Sequence, residues 1–266
     1  MPEGDNLFRA ATSLRKALQG SRVTAFRSDV PAVLRALEQK PIDGARIAAI
    51  DSRGKHLLFR FDDGRTLRTH LRMRGSWHLY RLGERWRRPE RSARAVIETD
   101  AGFVAACFDA PLVELVTEFG LRDLARLGPD ATADAFDDAE ALRRLRARGE
   151  LPIGEALLVQ RALAGVGNVI KAEVLFSCRQ DPFQPVSEVA DEQLARIVAE
   201  AHRLLVHNRS SGPRTTRPAL TGPRLWVYGR SGKPCLECGT TVHMRRQGVL
   251  GRSTYYCPRC QGSRAI

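Results

Sequence analysis

Near the C-terminus, Cys235-x₂-Cys238 and Cys257-x₂-Cys260 are separated by eighteen residues, and this pattern constrains the fold more than any other stretch of the 266-residue chain. Two such pairs supply four thiolates to one tetrahedral ion, the arrangement of a zinc ribbon. Gly239, directly after the second cysteine, suits the tight turn that such a knuckle needs. Between the pairs, residues 240–244 and 253–256 are predicted to form the two strands of a hairpin. An iron–sulfur centre uses the same ligands, but paired knuckles at this separation favour zinc. Four protein ligands leave no open coordination position, so one structural Zn²⁺ with no hydrolytic role is expected. Cys107 and Cys178 stand alone and are expected to be small buried apolar residues.

Charge is concentrated around this module. From residue 202 to the end, eleven Arg and one Lys face a single acid, Glu237, so that stretch holds +11 of the chain's net +13. A basic block beside a metal module points to nucleic acid. A membrane surface would call for an amphipathic basic helix, which the block lacks. No run approaches the ~20 apolar residues of a membrane span. The opening Met-Pro-Glu-Gly-Asp carries acids where a signal peptide needs positive charge and then an apolar run. A cytoplasmic protein, associated with the nucleoid through DNA, is therefore expected.

The pattern upstream divides in two. Residues 5–18 are predicted as a helix, with Asp5 as N-cap, Leu7, Ala11, Leu14 and Leu18 on one face and Gly20 at its end. Residues 22–116 show short alternating apolar runs split by turn signals, at 45–51, 56–61, 66–71, 75–80, 93–99 and 103–108, which predicts an antiparallel sandwich or barrel. Beyond residue 121 helical patterns take over, at 139–148, at 153–163 after Pro152, at 169–178, and from residue 187 or 191 to 207. Gly165-Val166-Gly167-Asn168 separates two of these helices, either as an ordinary turn or as a hairpin presenting a helix N-terminus and Asn168 to a phosphate. Residues 210–223, rich in Ser, Gly, Pro, Thr and Arg, are predicted as a basic loop. The expected division is an N-terminal catalytic β-sandwich over 1–125, a helical DNA-binding part over 126–225 and a zinc finger over 226–266, an α+β multidomain chain.

Taken together, Met1-Pro2-Glu3-Gly4, Ser52-Arg53-Gly54-Lys55-His56-Leu57, Leu163-Ala164-Gly165-Val166-Gly167-Asn168 with Glu173 and Leu175-Phe176, Val227-Tyr228-Gly229-Arg230, and Gly251-Arg252-Ser253-Thr254 leading into Cys257-Pro258-Arg259-Cys260-Gln261 resemble the formamidopyrimidine-DNA glycosylase/endonuclease VIII family in the same order along essentially the whole chain. The resemblance implies a β-sandwich, a helix–two-turn–helix module and a C-terminal zinc finger, acting as a monomer on double-stranded DNA that contains damaged bases or abasic sites. It implies a bifunctional glycosylase and abasic-site lyase of base excision repair.

By that resemblance Pro2, exposed when Met1 is removed, is the amine nucleophile, and Glu3 is the general acid that helps open the sugar ring. Lys55 is implied as a phosphate contact and proton donor, and Arg252 as the finger arginine beside the lesion. Asn168 and Glu173 support from the helical part, and Arg230 belongs to the DNA-binding set. A flipped nucleotide leaves a gap to be filled, and the turn Arg72-Met73-Arg74 is the candidate wedge. Purine-directed members carry an Arg and a Phe where this chain has Phe108-Asp109-Ala110-Pro111-Leu112-Val113-Glu114, and Pro where it has Asp5. The endonuclease VIII-like branch and oxidised pyrimidines are therefore favoured. The alternatives are an enzyme for oxidised purines such as 8-oxoguanine, towards which the Arg-Met-Arg turn points, and a zinc-ribbon protein that binds damaged DNA without catalysis.

Overall fold

A computed structural model describes residues 2–210, 212–218 and 221–262. Met1 and, in the predicted basic loop, Ser211, Ala219 and Leu220 lie outside the described residues. The chain divides into two compact units, Met1–Arg126 and Leu127–Ile266.

The first unit is a β-sandwich. Four strands, β1 (Val23–Ser28), β5 (Ser76–Arg81), β6 (Ala93–Thr99) and β7 (Phe103–Phe108), form one antiparallel sheet in the order β1-β6-β7-β5. Strands β2 (Ile47–Arg53), β3 (His56–Phe61), β4 (Thr66–His70) and β8 (Leu112–Val116) form the other in sequence order. Alternation places Ile47, Ile50, Leu57, Phe59 and Leu67 of one sheet in a common core with Ala95, Ile97, Ala105 and Cys107 of the other. Trp77 Nε1 donates to Thr69 Oγ1 at 3.0 Å and ties the sheets together. Helix α1 (Gly4–Leu18) adds Leu7, Ala11, Leu14 and Leu18 to this core, the face its sequence period marked out.

Two local expectations are corrected. The N-cap of α1 is Glu3 and not Asp5, because the Asn6 side chain accepts the Glu3 N–H at 3.3 Å and starts the helix earlier. A second helix, α2 (Pro31–Gln39), lies within the stretch read as strands. Its Pro31 occupies the first turn, where a missing N–H costs nothing, and Val33 reaches the core.

The second unit is built around a buried helix. Helix α5 (Asn168–Ser177) has every residue from Asn168 to Phe176 buried, so it carries no solvent face. Around it lie α3 (Asp138–Arg146), α4 (Ile153–Ala156) and α6 (Asp191–His207), whose Leu194, Ile197, Val198, Ala201, Leu204 and Leu205 form the inward stripe. The helix expected over 153–163 stops at Ala156. Beyond it the Gln160 side chain donates to the carbonyls of Leu158 and Val166 at 3.1 and 3.0 Å and accepts the Gly165 N–H at 3.1 Å, so tight turns replace helix. Strands β9 (His243–Gln247) and β10 (Arg252–Tyr256) pair as an antiparallel hairpin, followed by the short helix α7 (Pro258–Gln261). The finger packs into this unit: Val227, Cys235, Val242 and Cys257 share a core with Ala172 and Phe176 of α5. Among the described residues no helix is long and apolar enough to cross a membrane.

Candidate functional site

The metal centre follows directly from the ribbon. The ligand atoms of Cys235, Cys238, Cys257 and Cys260 all lie within 4.8 Å of one another. Cys235 Sγ is 3.9 Å from Cys260 Sγ, and Cys238 Sγ is 3.5 Å from Cys257 Sγ. A tetrahedron with Zn–S bonds of about 2.3 Å has edges near 3.8 Å, so the four sulfurs fit one zinc ion. The first knuckle is closed by Gly239 at φ +75°, whose N–H donates to Cys235 O at 3.0 Å. Hydrogen bonding from Thr240 lowers the Cys238 thiol to about 6, which favours the thiolate a metal requires. The second knuckle is anchored from outside the ribbon. Gln261 accepts the Cys257 N–H at 2.9 Å and donates to Gln180 O at 2.9 Å.

Polar groups of α5 hold the finger in place. Asn168, the first residue of the helix, donates through Nδ2 to Ser253 O at 2.6 Å and to Ser253 Oγ at 3.0 Å. One turn later the buried Lys171 donates to Thr254 Oγ1 at 2.7 Å. Thr254 in turn donates to Gln247 Oε1 at 2.8 Å, and Gln247 donates to Pro182 O at 2.9 Å. A buried polar chain therefore runs from α5 through both strands of the hairpin. Asn168 and Arg252 are brought close together by it, since Ser253 adjoins Arg252. Arg252 itself is exposed at the start of β10.

Glu173 and Arg230 face inward. The fully buried Glu173 carboxylate accepts the backbone N–H groups of Trp226, Val227 and Tyr228 at 2.7, 3.0 and 2.8 Å, and the Thr216 hydroxyl as well. Arg230 donates to Trp226 O at 2.6 Å and Pro234 O at 2.8 Å. The Glu173 carboxylate and both terminal nitrogens of Arg230 thus bind the chain leading into the finger. Glu173→Ala leaves four buried or half-buried donors without their acceptor and is expected to destabilise the second unit by about 3 kcal/mol or more. Denaturant unfolding measures this, and a loss below about 0.5 kcal/mol, the level of an ordinary surface change, would contradict it.

In the first unit Pro2 is half-buried and immediately precedes Glu3, which is fully buried at the N-cap of α1. Helix α1 lies against β2 and β3. Those strands are joined by the two-residue turn Gly54-Lys55, with Gly54 at φ +57° and Arg53 opposite His56. Lys55 on this turn is half-buried.

A histidine pair beside Lys55 escaped the sequence reading. His56 and His70 are directly opposite on β3 and β4, with ring centroids 4.8 Å apart edge to face. Arg68 Nε donates to His56 Nδ1 at 3.2 Å, and the Arg72 N–H donates to His70 Nδ1 at 3.1 Å. Burial, then the charge of Arg68, pushes His56 down to about 3. Burial, then the charges of Lys55 and Arg72, pushes His70 down to about 4. Both rings are neutral at physiological pH, so they can sit among cations without adding charge. The signal was available, since the loop from Phe61 to Arg65 sets a register in which residue 56 faces residue 70.

The candidate wedge joins the two sheets. Arg72, Met73 and Arg74 are all exposed, Met73 to 63 %, so the methionine is not a core residue. Arg72 holds a left-handed conformation at φ +46°, and a Cβ at Gly75 would meet Leu71 O at 2.6 Å, so the turn is tight and specific.

Comparison with known proteins agrees with this construction. The N-terminal domain model of formamidopyrimidine-DNA glycosylase matches residues 1–111, its helix–two-turn–helix domain model matches residues 127–217, and the zinc finger found in these enzymes and in isoleucyl-tRNA synthetases matches residues 232–262. A Streptomyces coelicolor protein named "Probable endonuclease 8 2" is 39 % identical over all of this chain and 95 % of its own length. The Mycolicibacterium smegmatis "DNA-(apurinic or apyrimidinic site) lyase Nei2" is 38 % identical over 98 % of this chain and 99 % of its own. A formamidopyrimidine-DNA glycosylase of Gluconobacter oxydans is 30 % identical over 98 % of this chain and 100 % of its own. The Lactococcus lactis formamidopyrimidine-DNA glycosylase, crystallised with DNA containing an N7-benzyl-Fapy-dG, superposes with a TM-score of 0.82 at 26 % identity, covering 98 % of this chain and 99 % of that one. With family models spanning most of its length and relatives well above 30 % identity along it, the chain belongs to the formamidopyrimidine-DNA glycosylase/endonuclease VIII family, the zinc-finger DNA glycosylases and abasic-site lyases of base excision repair.

Proposed function

We propose that this enzyme excises oxidised bases, with oxidised pyrimidines preferred, through a Schiff base on Pro2, and then cuts the strand by β- and δ-elimination. The observation that carries this reading is the burial of Glu3 at the start of the chain. A buried carboxyl needs hydrogen-bond partners, and the capping box with Asn6 supplies one, fixing the Glu3 carboxylate beside Pro2. Pro2 directly precedes the N-cap of α1, so its nitrogen is held beside the start of that helix.

With Met1 removed, the Pro2 nitrogen attacks the sugar C1′. The C1′–base bond breaks, and the base departs with the electron pair and takes up a proton. Glu3 delivers a proton to the ring oxygen as the C1′–O4′ bond opens, and the amine loses its own proton, leaving an iminium. The iminium draws electrons from the C2′–H bond as a base removes that hydrogen. The 3′-phosphate then leaves, and the 5′-phosphate follows it in the second elimination. Lys55 serves as phosphate contact and proton donor, Arg252 grips the phosphate beside the lesion, and Asn168 holds the strand on which Arg252 sits. Met73 fills the gap left by the flipped nucleotide, with Arg72 and Arg74 reaching for phosphates on either side. One chain carries the amine and the finger together, so a monomer suffices.

Two observations support the pyrimidine branch. Where purine-directed relatives carry an Arg and a Phe, Leu112 and Val113 here are paired with His70 and Thr69, and Asp109 is held by an ion pair with Arg88. The endonuclease 8 relatives are also more similar to this chain than the formamidopyrimidine enzyme from Gluconobacter is. The Arg-Met-Arg turn favours the second reading, an enzyme for oxidised purines. Paired cleavage assays on duplexes with dihydrouracil or thymine glycol, against 8-oxoguanine opposite cytosine, separate the two. At least about tenfold higher kcat/KM on the pyrimidine lesions is expected, a ratio well within reach of pocket contacts. Clear preference for 8-oxoguanine would overturn the branch assignment.

A further inference from the structure

The turn that carries Met73 is well anchored at its start, and its strands alone hold its end only loosely. At the start the Arg72 N–H donates to His70 Nδ1 at 3.1 Å, and the Gly75 N–H donates to Leu71 O at 2.9 Å. At the end the chain enters β5 at Ser76, and β5 is an edge strand, paired with β7 alone. Ser76 lies opposite Phe108, the last residue of β7, so this pair closes the ladder where strands fray first. The left-handed Arg72 persists only where its surroundings hold it. The unbranched, flexible side chain of Met73 goes wherever its backbone takes it.

Arg88 holds the loose end. Segment 82–92 leaves β5 at its far end and folds back over the face of the sheet turned away from the sandwich core. It returns to start β6 at Ala93, which like Ser76 lies opposite Phe108. Trp86 anchors the crossing, stacked on Tyr80 with ring centroids 5.7 Å apart and edge to face with Phe108 at 5.7 Å. The Arg87 N–H donates to Tyr80 Oη at 3.2 Å. Arg88 thereby arrives beside the turn, its guanidinium 5.7 Å from the centroid of the Phe108 ring. One terminal nitrogen donates to Ser76 Oγ at 3.1 Å and the other to the Asp109 carboxylate. Asp109 directly follows β7, is left-handed at φ +48°, and donates its N–H to Ser92 O at 2.9 Å. One guanidinium therefore clasps the first residue of β5 to the residue after β7.

We infer that Arg88 is a positioning residue for the Arg72-Met73-Arg74 turn, bridging Ser76 and Asp109 to fix the exit of the turn so that Met73 enters the gap left by a flipped nucleotide. This rests on the wedge reading above, and Arg88 acts through Met73. A gap needs filling only in a duplex, so the test compares strand cleavage at an abasic site in a duplex and in the same oligonucleotide single-stranded. Arg88→Met keeps an apolar stem over Phe108 and removes both hydrogen bonds. It is expected to lower kcat/KM on the duplex about tenfold, the scale of a modest misplacement, and to leave single-strand cleavage within about twofold. Asp109→Asn suits the left-handed backbone equally well. It should lower duplex cleavage about threefold with the same selectivity, because a neutral acceptor holds the guanidinium more weakly. In a Met73→Ala background Arg88→Met should cost less than about twofold more, since nothing remains for it to position. Thermal unfolding and zinc content report that the variants are folded. Equal losses on both substrates, an unchanged duplex rate for Arg88→Met, or a full loss that persists without Met73 would overturn the brace. Wild-type duplex activity in Met73→Ala alone would overturn the wedge, and the brace with it.

Discussion

Chelation of the zinc is expected to abolish duplex binding and unfold residues 226–262, while the sandwich of Met1–Arg126 keeps its strands. The reason is the size of the finger's own core. Apart from the ligand cysteines, its buried apolar residues are Val227, Val242 and Tyr256, too few to hold the ribbon without metal. Structural zinc sites contribute about 10–16 kcal/mol, as much as the whole stability of an ordinary domain, about 5–15 kcal/mol. Losing the ion frees both knuckles, and with them the strand that carries Arg252. The polar chain from Asn168 and Lys171 through Thr254 and Gln247 then has nothing ordered to grip. Fluorescence anisotropy on labelled duplex and circular dichroism of the metal-free protein would measure the two effects. Metal-free protein that retained affinity within threefold would contradict this account of the finger.

The elements that were legible in the sequence are those with short-range rules. Cysteine spacing determines the zinc site, and period-two alternation places β3, β6 and β7 at their observed bounds. Helix α2 was hidden because a nine-residue helix among strands offers little periodicity, and only Pro31 marks its start. The helix after Pro152 was overextended because Gln160, an ordinary helix former by propensity, uses its amide to close turns instead. The internal partners of Glu173 are invisible to local rules. The amides that Glu173 binds lie 53 to 55 residues further along the chain. Lys171 was missed on the same ground, since its acceptors lie on a strand more than eighty residues away. Glu3 was named from the family resemblance, and the structure places it, buried, at the N-cap of α1.

Blocking the Pro2 amine is expected to have the largest effect of any single change. An uncleaved residue ahead of Pro2 turns the secondary amine into a tertiary amide, whose nitrogen lone pair is delocalised and not nucleophilic. Neither the zinc centre nor the sandwich core involves that atom, so folding and metal content should be unaffected. Removal of a covalent nucleophile commonly costs about 10⁴-fold or more in rate, and a loss of that order is expected for strand cleavage at an abasic site. The intact mass of the active protein should accordingly lack Met1.

Borohydride reduction during reaction with abasic-site DNA, followed by peptide mapping of the trapped adduct, identifies the attacking nitrogen. Reduction converts an iminium into a stable amine at the attacking nitrogen. One covalent complex is expected, carried by the peptide that begins at Pro2 and absent from the chain with a blocked terminus. No adduct from Met1-free protein that binds the duplex would show a zinc-finger protein that recognises damage without this chemistry. An adduct mapped to Lys55 or another lysine would contradict the assignment of Pro2 as nucleophile.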